Sequence, residues 1–465
     1  MQIKGIILAC GVAASLPAFG LELALTPGSL GSRVPDIEGT SDKTLVLRGT
    51  ADVRDLVLLS RLSGSVSMLD MSGLTINGYT YTGAGHHGIT AFGAGQLPPY
   101  MLAGTSVETV AFPANVTELS DGTFALSGLK EVTIPASVKK IGDNAFAGST
   151  RLERMNYEGT PGFGKNVFHN CAALVRHGLD DKIAEIPEGM FSGCTSLPAI
   201  PTGTRKIGAR AFEGSGILSV DLTDVSEVGD YAFANDKALV EIRLGENQVK
   251  FGKAVFMGDT GLGYVPAWHS ETPESLFLHS GVAHPEIINS PEIGEAAYAH
   301  KPEIRVLTFG ASVQKIDANA FRNIKGLQEV NVVLLKDNVP ELSPEAFAGL
   351  ENAEGRYDVP LLVHEVSIEK WREAPVWQLF DIRPGDMSGT GDIKVDVTVS
   401  ARRQGPTLEV TSNAPIDLLQ VYNVEGIALA DLSNASTEAT VDVPADGVLV
   451  VRVISGGSER VIKLR

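Results

Sequence analysis

The chain has 465 residues, 43% hydrophobic and 20% charged, with a formal net charge of −18. That length exceeds one ordinary core of about 100–200 residues, so it calls for several domains or a repeat array, and 50 Gly with 24 Pro call for many turns rather than long helices. The acidic balance, without a cluster of Lys and Arg, argues against a nucleic-acid partner.

In chain order, Lys4, the apolar stretch Gly5 to Leu16 and the small residues of Ala18-Phe19-Gly20 read as a secretory signal over residues 1–20. A buried N-terminal helix is the alternative, disfavoured because the stretch has no polar face. Leu8-Ala9-Cys10 loosely resembles a lipobox, which leaves acylation of Cys10 open. No later segment reaches the roughly 20 apolar residues of an integral membrane span. In the cap region, 21–85, Thr44 to Gly49 and Ser67 to Gly73 read as strands and Asp52 to Leu62 as a helix between them.

A repeat then takes over. Leu129-Lys130-Glu131-Val132-Thr133-Ile134-Pro135 is followed by Val138, Ile141-Gly142 and Asn144-Ala145-Phe146-Ala147-Gly148-Ser149. The same order returns at Ile207-Gly208 with Ala211-Phe212, Val228-Gly229 with Ala232-Phe233, and Ile316-Asp317 with Ala320-Phe321. The anchor side chain recurs at Leu102, Phe124, Phe146, Phe168, Phe191, Phe212, Phe233, Phe256, Phe277, Tyr298, Phe321 and Phe347, in steps of 21 to 26 residues. Those steps predict a leucine-rich-repeat solenoid with one short strand per coil, in which the alternating pairs Val132 and Ile134, Ile242 and Leu244, and Val330 and Val332 point inward. One coil cannot bury its own apolar face, so stability comes from stacking on neighbours.

These residues resemble the BspA-type leucine-rich-repeat surface proteins of anaerobic bacteria, Bacteroidetes among them, over about residues 100–350. Trp268 to Pro273 and His284 to Pro302 keep the period but are read as losing the Ile-Gly and Ala-Phe signatures, so distortion or remodelling is expected between Gly263 and Lys301. The solenoid with its closing unit spans 86–383, where Tyr357 to Trp371, Trp377 and Phe380 resemble the family's closing unit and are expected to cover the last coil. Pro384-Gly385, Ser388-Gly389 and Gly391 predict a linker at 384–394. From 395 to 465, Thr407 to Thr411, Leu418 to Asn423, Glu438 to Val443, Val448 to Ile454 and Val461 to Leu464 predict a small antiparallel β-sandwich. Tyr422, Asn423, Gly426, Gly447 and Lys463 in that segment resemble the C-terminal sorting domain of type IX secretion, which implies the secretion machinery as a partner; a generic adhesive sandwich is the other reading.

The chain carries no G-x-S-x-G, H-E-x-x-H, phosphate-loop or C-x-x-C pattern, and no catalytic residue, metal ligand or cofactor is expected. The pair His86-His87 lacks an apparent third ligand and reads as a surface loop. Cys171 and Cys194 each follow their anchor by three residues, a position expected to hold a buried thiol, with a bridge between coils as the alternative. The solvent side of the strands is the natural binding face, and the register puts Glu131, Thr133, Arg154, Asn156, Arg176, Asp221, Glu241, Arg243, Tyr264, Trp268, His284, Glu286, Glu329 and Asn331 on it. Tyr264 and Trp268 stand out because exposed aromatics supply contact area at low entropic cost. The resemblance implies an exported, non-enzymatic protein that acts at the cell surface by binding a host, matrix or bacterial protein; glycan binding is the alternative, and a secreted enzyme with an unrecognised site a third.

Overall fold

A computed structural model describes residues 20–62, 64, 66–80, 91–245, 248–263, 265, 271–283, 285–287, 290–332 and 339–385. In the C-terminal segment it describes 399–404, 407–412, 416–423, 428–432, 438–443, 449–455 and 458–464. The signal segment with Cys10, His86-His87, Tyr264, Trp268, His284, Gly426, Gly447 and most of the linker lie outside those residues. The chain divides into two compact units, Met1–Leu179 and Asp180–Arg465.

In the first unit the cap is a parallel sheet of Leu21–Leu25, Thr44–Ala51, Met68–Ile76 and Thr109–Ala111, in that order. Both strands read from the sequence are present, and Leu21–Leu25 adds one that the sequence reading left unassigned. The expected helix is one α-turn, Val53–Leu56, continued by a 3-10 turn, Val57–Arg61. Asp52 caps it, accepting from Arg54 N at 2.9 Å. The buried Asp55 carboxylate accepts from the backbone N–H groups of Gly28, Leu30 and Asp52 at 2.8, 2.9 and 3.1 Å, tying the segment after Leu21–Leu25 to this turn.

Each regular coil has three walls. The longer strand, such as Glu131–Ile134 or Arg154–Tyr157, alternates exposed or part-exposed and buried side chains and pairs in parallel with the next coil. A second strand of two residues, as in Glu118–Leu119, Lys140–Ile141 and Gly162–Phe163, forms a ladder of its own. The sequence reading allowed one strand per coil; the Ile-Gly signature is this second one, too short for alternation to reveal. The third wall carries the anchor. Asn144, Phe146 and Gly148 donate backbone N–H groups to Lys165, Val167 and His169 of the next coil at 2.9, 2.9 and 2.7 Å. The residues two before and two after the anchor, Asn144 (φ 56°) and Gly148 (φ 73°), take the left-handed conformation that Asn and Gly tolerate best. Phe124, Phe146 and Phe168 stack at centroid distances of 5.3 and 5.6 Å, all fully buried.

The second unit repeats this plan. Its short ladders run Glu185–Ile186, Lys206–Ile207, Glu227–Val228, Lys250–Phe251, and again Glu292–Ile293, Lys315–Ile316, Glu341–Leu342. Phe191, Phe212, Phe233, Phe256, Phe277, Tyr298, Phe321 and Phe347 form one stack with neighbouring centroids 5.1–5.8 Å apart. The departure expected between Gly263 and Lys301 is therefore milder than read: Ile293-Gly294 holds the short-strand position and Tyr298 the anchor position, because a tyrosine ring fills the same slot. The closing unit covers the last coil as expected. Phe380 meets Phe347 edge-on at 5.1 Å, Trp371 and Trp377 are buried against each other at 5.0 Å, and Trp377 Nε1 donates to Pro340 O at 2.8 Å. Arg383 and Pro384 belong to a strand, Asp381–Pro384, paired with Pro360–Val363, so regular structure runs past the point where the sequence suggested a linker.

The C-terminal segment contains two antiparallel sheets, one of Val399–Gln404, Thr407–Ser412 and Glu438–Asp442, the other of Ala428–Leu432, Ile416–Asn423, Leu449–Ser455 and Ser458–Leu464. Its own core gathers Leu408, Val410, Leu419, Val421, Val441, Leu449, Val451 and Val453. All five predicted strands are present; Val399–Gln404 and Ala428–Leu432 are additional.

Candidate functional site: the open strand face

The two strand ladders present different chemistry to solvent. On the short ladder the first residue of each strand alternates in sign, Glu185, Lys206, Glu227 and Lys250, and every Lys is flanked by Glu. Lys206 lies 3.9 Å from both Glu185 and Glu227, and Lys250 lies 3.5 Å from Glu227. Lys140 meets Glu118 at 2.8 Å, and the hydrogen bond and charge of Glu118 raise the lysine pKa. Lys315, between Glu292 at 2.6 Å and Asp317 at 2.7 Å, is raised by those two hydrogen bonds. Each exposed pair contributes little, but from Glu185 to Lys250 they leave this face locally neutral. The alternation breaks beside Glu292, where Glu271, Glu274, Glu292, Glu295 and Asp317 line a recess of about 430 Å³.

The longer strands carry the other face. In the first unit Glu131 pairs with Arg154 and Arg154 with Arg176 from coil to coil. Thr133 and Asn156 form the neighbouring outward column, and Asn156 Nδ2 donates to Glu131 Oε1 at 3.0 Å. At the edge, Glu108 binds Lys130 at 2.8 Å and Arg151 at 2.6 Å, and these two hydrogen bonds lower its pKa. In the second unit Ser219 pairs with Glu241 and Asp221 with Arg243. Arg243 Nε donates to Glu241 Oε1 at 2.8 Å, which raises the arginine pKa. Hydrogen bonds from the Thr223 side chain and backbone, with the Arg243 charge behind them, hold the Asp221 carboxyl below its ordinary value. Ala199 to Thr204, Ser219, Asp221, Thr223 and Asp224 line a groove of about 450 Å³ of mixed polar and apolar character. Farther along, Glu286 pairs with Thr308 and Thr308 with Asn331, whose Nδ2 donates to Glu329 Oε1 at 2.9 Å. Carboxylates, guanidiniums, hydroxyls and carboxamides repeat along both stretches one rung apart, about 4.8 Å. Such a set can hold a ligand by hydrogen bonds and charge.

Most sequence-chosen residues fall where the register put them. Arg154, Asn156 and Arg176 come together in the first unit, and Glu241 and Arg243 sit together in the second; Glu286 lies on a separate ladder of that unit. Tyr422 and Asn423 lie in the strand Ile416–Asn423, and Lys463 in Ser458–Leu464. Cys171 and Cys194 are buried thiols, and Cys171 Sγ donates to Phe146 O at 3.2 Å. The sequence reading missed that this position, three after the anchor, forms a buried polar column. In the first unit Ser149 Oγ lies 3.1 Å from Ser127 Oγ and donates to Phe124 O at 2.9 Å. In the second, Ser215 Oγ donates to Asp236 Oδ2 at 3.1 Å, and Asp236 N donates to Asp259 Oδ1 at 2.8 Å. Lys301 Nζ donates to Ser280 Oγ at 2.7 Å and to the Ser280 carbonyl. Burial pushes Asp236 and Asp259 well above the carboxylate range and lowers Lys301 to about 7. Aligning the residue three after each anchor would have shown this column.

Parallel coils of 21 to 26 residues with a stacked anchor and a polar strand face define a leucine-rich-repeat solenoid. The chain belongs to the BspA type leucine rich repeat family: six copies match at residues 95–198, 161–280 and 291–355, together more than half of its length. Among solved structures it is similar to a leucine-rich repeat protein from Bacteroides ovatus, 17% identical with a TM-score of 0.44, covering 70% of this chain and 86% of that one. It is also similar to the pneumococcal vaccine antigen PcpA, at 13% identity and a TM-score of 0.38 over 78% and 84% of the two chains. A leucine rich cell surface protein from Faecalibacterium prausnitzii is 17% identical, with a TM-score of 0.29 over 47% and 78%. No curated protein matches the chain. Among the described residues no helix is long and apolar enough to cross a membrane, and no group of three or more His, Cys, Asp and Glu could hold a metal ion.

Proposed function

We propose that the protein is an exported cell-surface binding protein whose open strand face takes a protein or glycan partner. The observation that carries this reading is the contrast between the faces: the short ladder from Glu185 to Lys250 pairs its lysines with carboxylates, while the longer strands offer arginines, carboxamides, hydroxyls and a groove of about 450 Å³. Export is supported by the leader-like residues 1–20, and a sorting role by the separate core of the tail with its sequence resemblance at Tyr422, Asn423, Gly426, Gly447 and Lys463.

A glycan array and a panel of host-matrix proteins, probed with the full chain, identify the partner class. Thr308→Arg and Asn331→Arg on the open face are then compared with Lys206→Glu and Lys315→Glu on the short ladder. Binding lost through the first pair and kept by the second supports the assignment; the reverse pattern refutes it.

A further inference from the structure

We infer that Arg154 and Arg176 form a clamp for a single oxyanion, a carboxylate or sulfate ester, carried on an otherwise uncharged glycan. This rests on the open strand face being the binding surface. The two arginines are joined by a parallel bridge on adjacent coils, so their side chains leave the sheet one rung apart, about 4.8 Å. Like charges directly opposite each other destabilise a sheet. Along the short ladder from Glu185 to Lys250 the chain avoids that by placing Glu between its lysines.

Here the compensation is incomplete. Glu131 faces Arg154 across the rung but is engaged by Asn156 Nδ2. Among the described residues, the one ion pair of Arg154 is a 3.7 Å contact with Glu153, and Arg176 has no ion pair or side-chain hydrogen bond. Both are exposed. Two planar guanidinium forks at this spacing can bind one carboxylate from both sides, or several oxygens of one sulfate.

The remaining chemistry narrows the carrier. A net charge of −18 repels a polyanion, so the ligand presents one isolated charge rather than a run of them. Thr133 and Asn156 add a hydroxyl and a carboxamide. Val175, 50% exposed beside Arg176, offers enough apolar surface for the C–H face of a sugar ring. It falls far short of the aromatic anchors that dominate protein interfaces.

The test is calorimetric titration of the full chain with sialyllactose, sulfated lactose, neutral lactose and a short peptide holding a single Glu. At least one acidic sugar should bind about tenfold or more tightly than lactose. Arg154→Gln and Arg176→Gln should each abolish that preference, Arg154→Lys should keep part of it, and Lys206→Gln all of it, with thermal melting confirming that each variant folds. The ranking of sialyl against sulfated sugar tells carboxylate from sulfate ester. Equal binding of acidic and neutral sugars overturns the clamp, as does an arginine variant that keeps the preference. Tighter binding of the peptide overturns the glycan. If Thr308→Arg and Asn331→Arg still abolish capture of other partners, the clamp alone has failed and the open-face reading stands.

Discussion

Replacing Lys301 by methionine should stabilise the second unit, and the gain should depend on pH. Lys301 is fully buried in the polar column, three residues after the anchor Tyr298. Burial lowers its pKa from 10.5 to about 7, against smaller raising effects of Glu303 and Asp259. That difference corresponds to about 5 kcal/mol against the charged form in the folded state. The unfolded chain keeps the lysine protonated up to pH 10.5, the folded chain only to about 7, so the penalty is full at pH 7 and below and vanishes as pH rises towards 10.5. Asp236 and Asp259 run the opposite way: with their pKa values raised, the stability they contribute is full at low pH and is lost as pH rises through those values. Comparing variant with parent at each pH cancels most of the carboxyl contribution. Methionine fills similar space without charge, but it leaves the Ser280 carbonyl and hydroxyl without this donor, so about 1–4 kcal/mol should be realised at pH 7. Urea denaturation at pH values of about 6.5, 8 and 9.5 measures it. A loss of more than about 1 kcal/mol at pH 7, or a gain that does not shrink towards pH 9.5, refutes the reasoning.

Phe212→Ala should cost about 3–5 kcal/mol, because Phe212 is fully buried between Phe191 and Phe233 at 5.4 Å on either side; an unchanged melting temperature would contradict the assigned anchor register. Cys171 and Cys194 should resist a thiol reagent in the native protein and both react after denaturation without reductant; failure to react would indicate a bridge. Removing residues 395–465 should leave the array melting within a few degrees of the parent, because the tail has its own core. In a host with type IX secretion the shortened protein should stay in the periplasm, and equal surface exposure of both forms would rule out sorting.

The anchor column, both caps and most strands of the tail were legible in the sequence because each leaves a local mark: a large side chain every 21 to 26 residues, paired tryptophans, or alternation over five residues or more. The short strand was not, since two residues cannot show a period. Leu21–Leu25 escaped notice beside an apolar leader, and Val399–Gln404 because Arg402 and Arg403 interrupt its alternation. At the candidate site, Arg154 and Arg176 could each be placed outward from their own strand, but their adjacency is a property of register between coils. The polar column was seen only at its two cysteines, where the family pattern draws the eye. The serines, aspartates and lysine continuing it look like surface residues until three walls close over them.

The alternating ladder beside the open face bears on how such an array can change length. Solenoids grow and shrink by copying or dropping coils, and stacking alone is indifferent to whether one coil or two is copied. Along Glu185, Lys206, Glu227 and Lys250 the charge has a period of two coils. Dropping the coil that holds Lys206 would bring Glu185 against Glu227, at a cost of about 0.2–1 kcal/mol, whereas dropping it together with its neighbour restores the alternation. The electrostatic unit of this stretch is therefore a pair of coils, and changes in even numbers meet less resistance than odd ones.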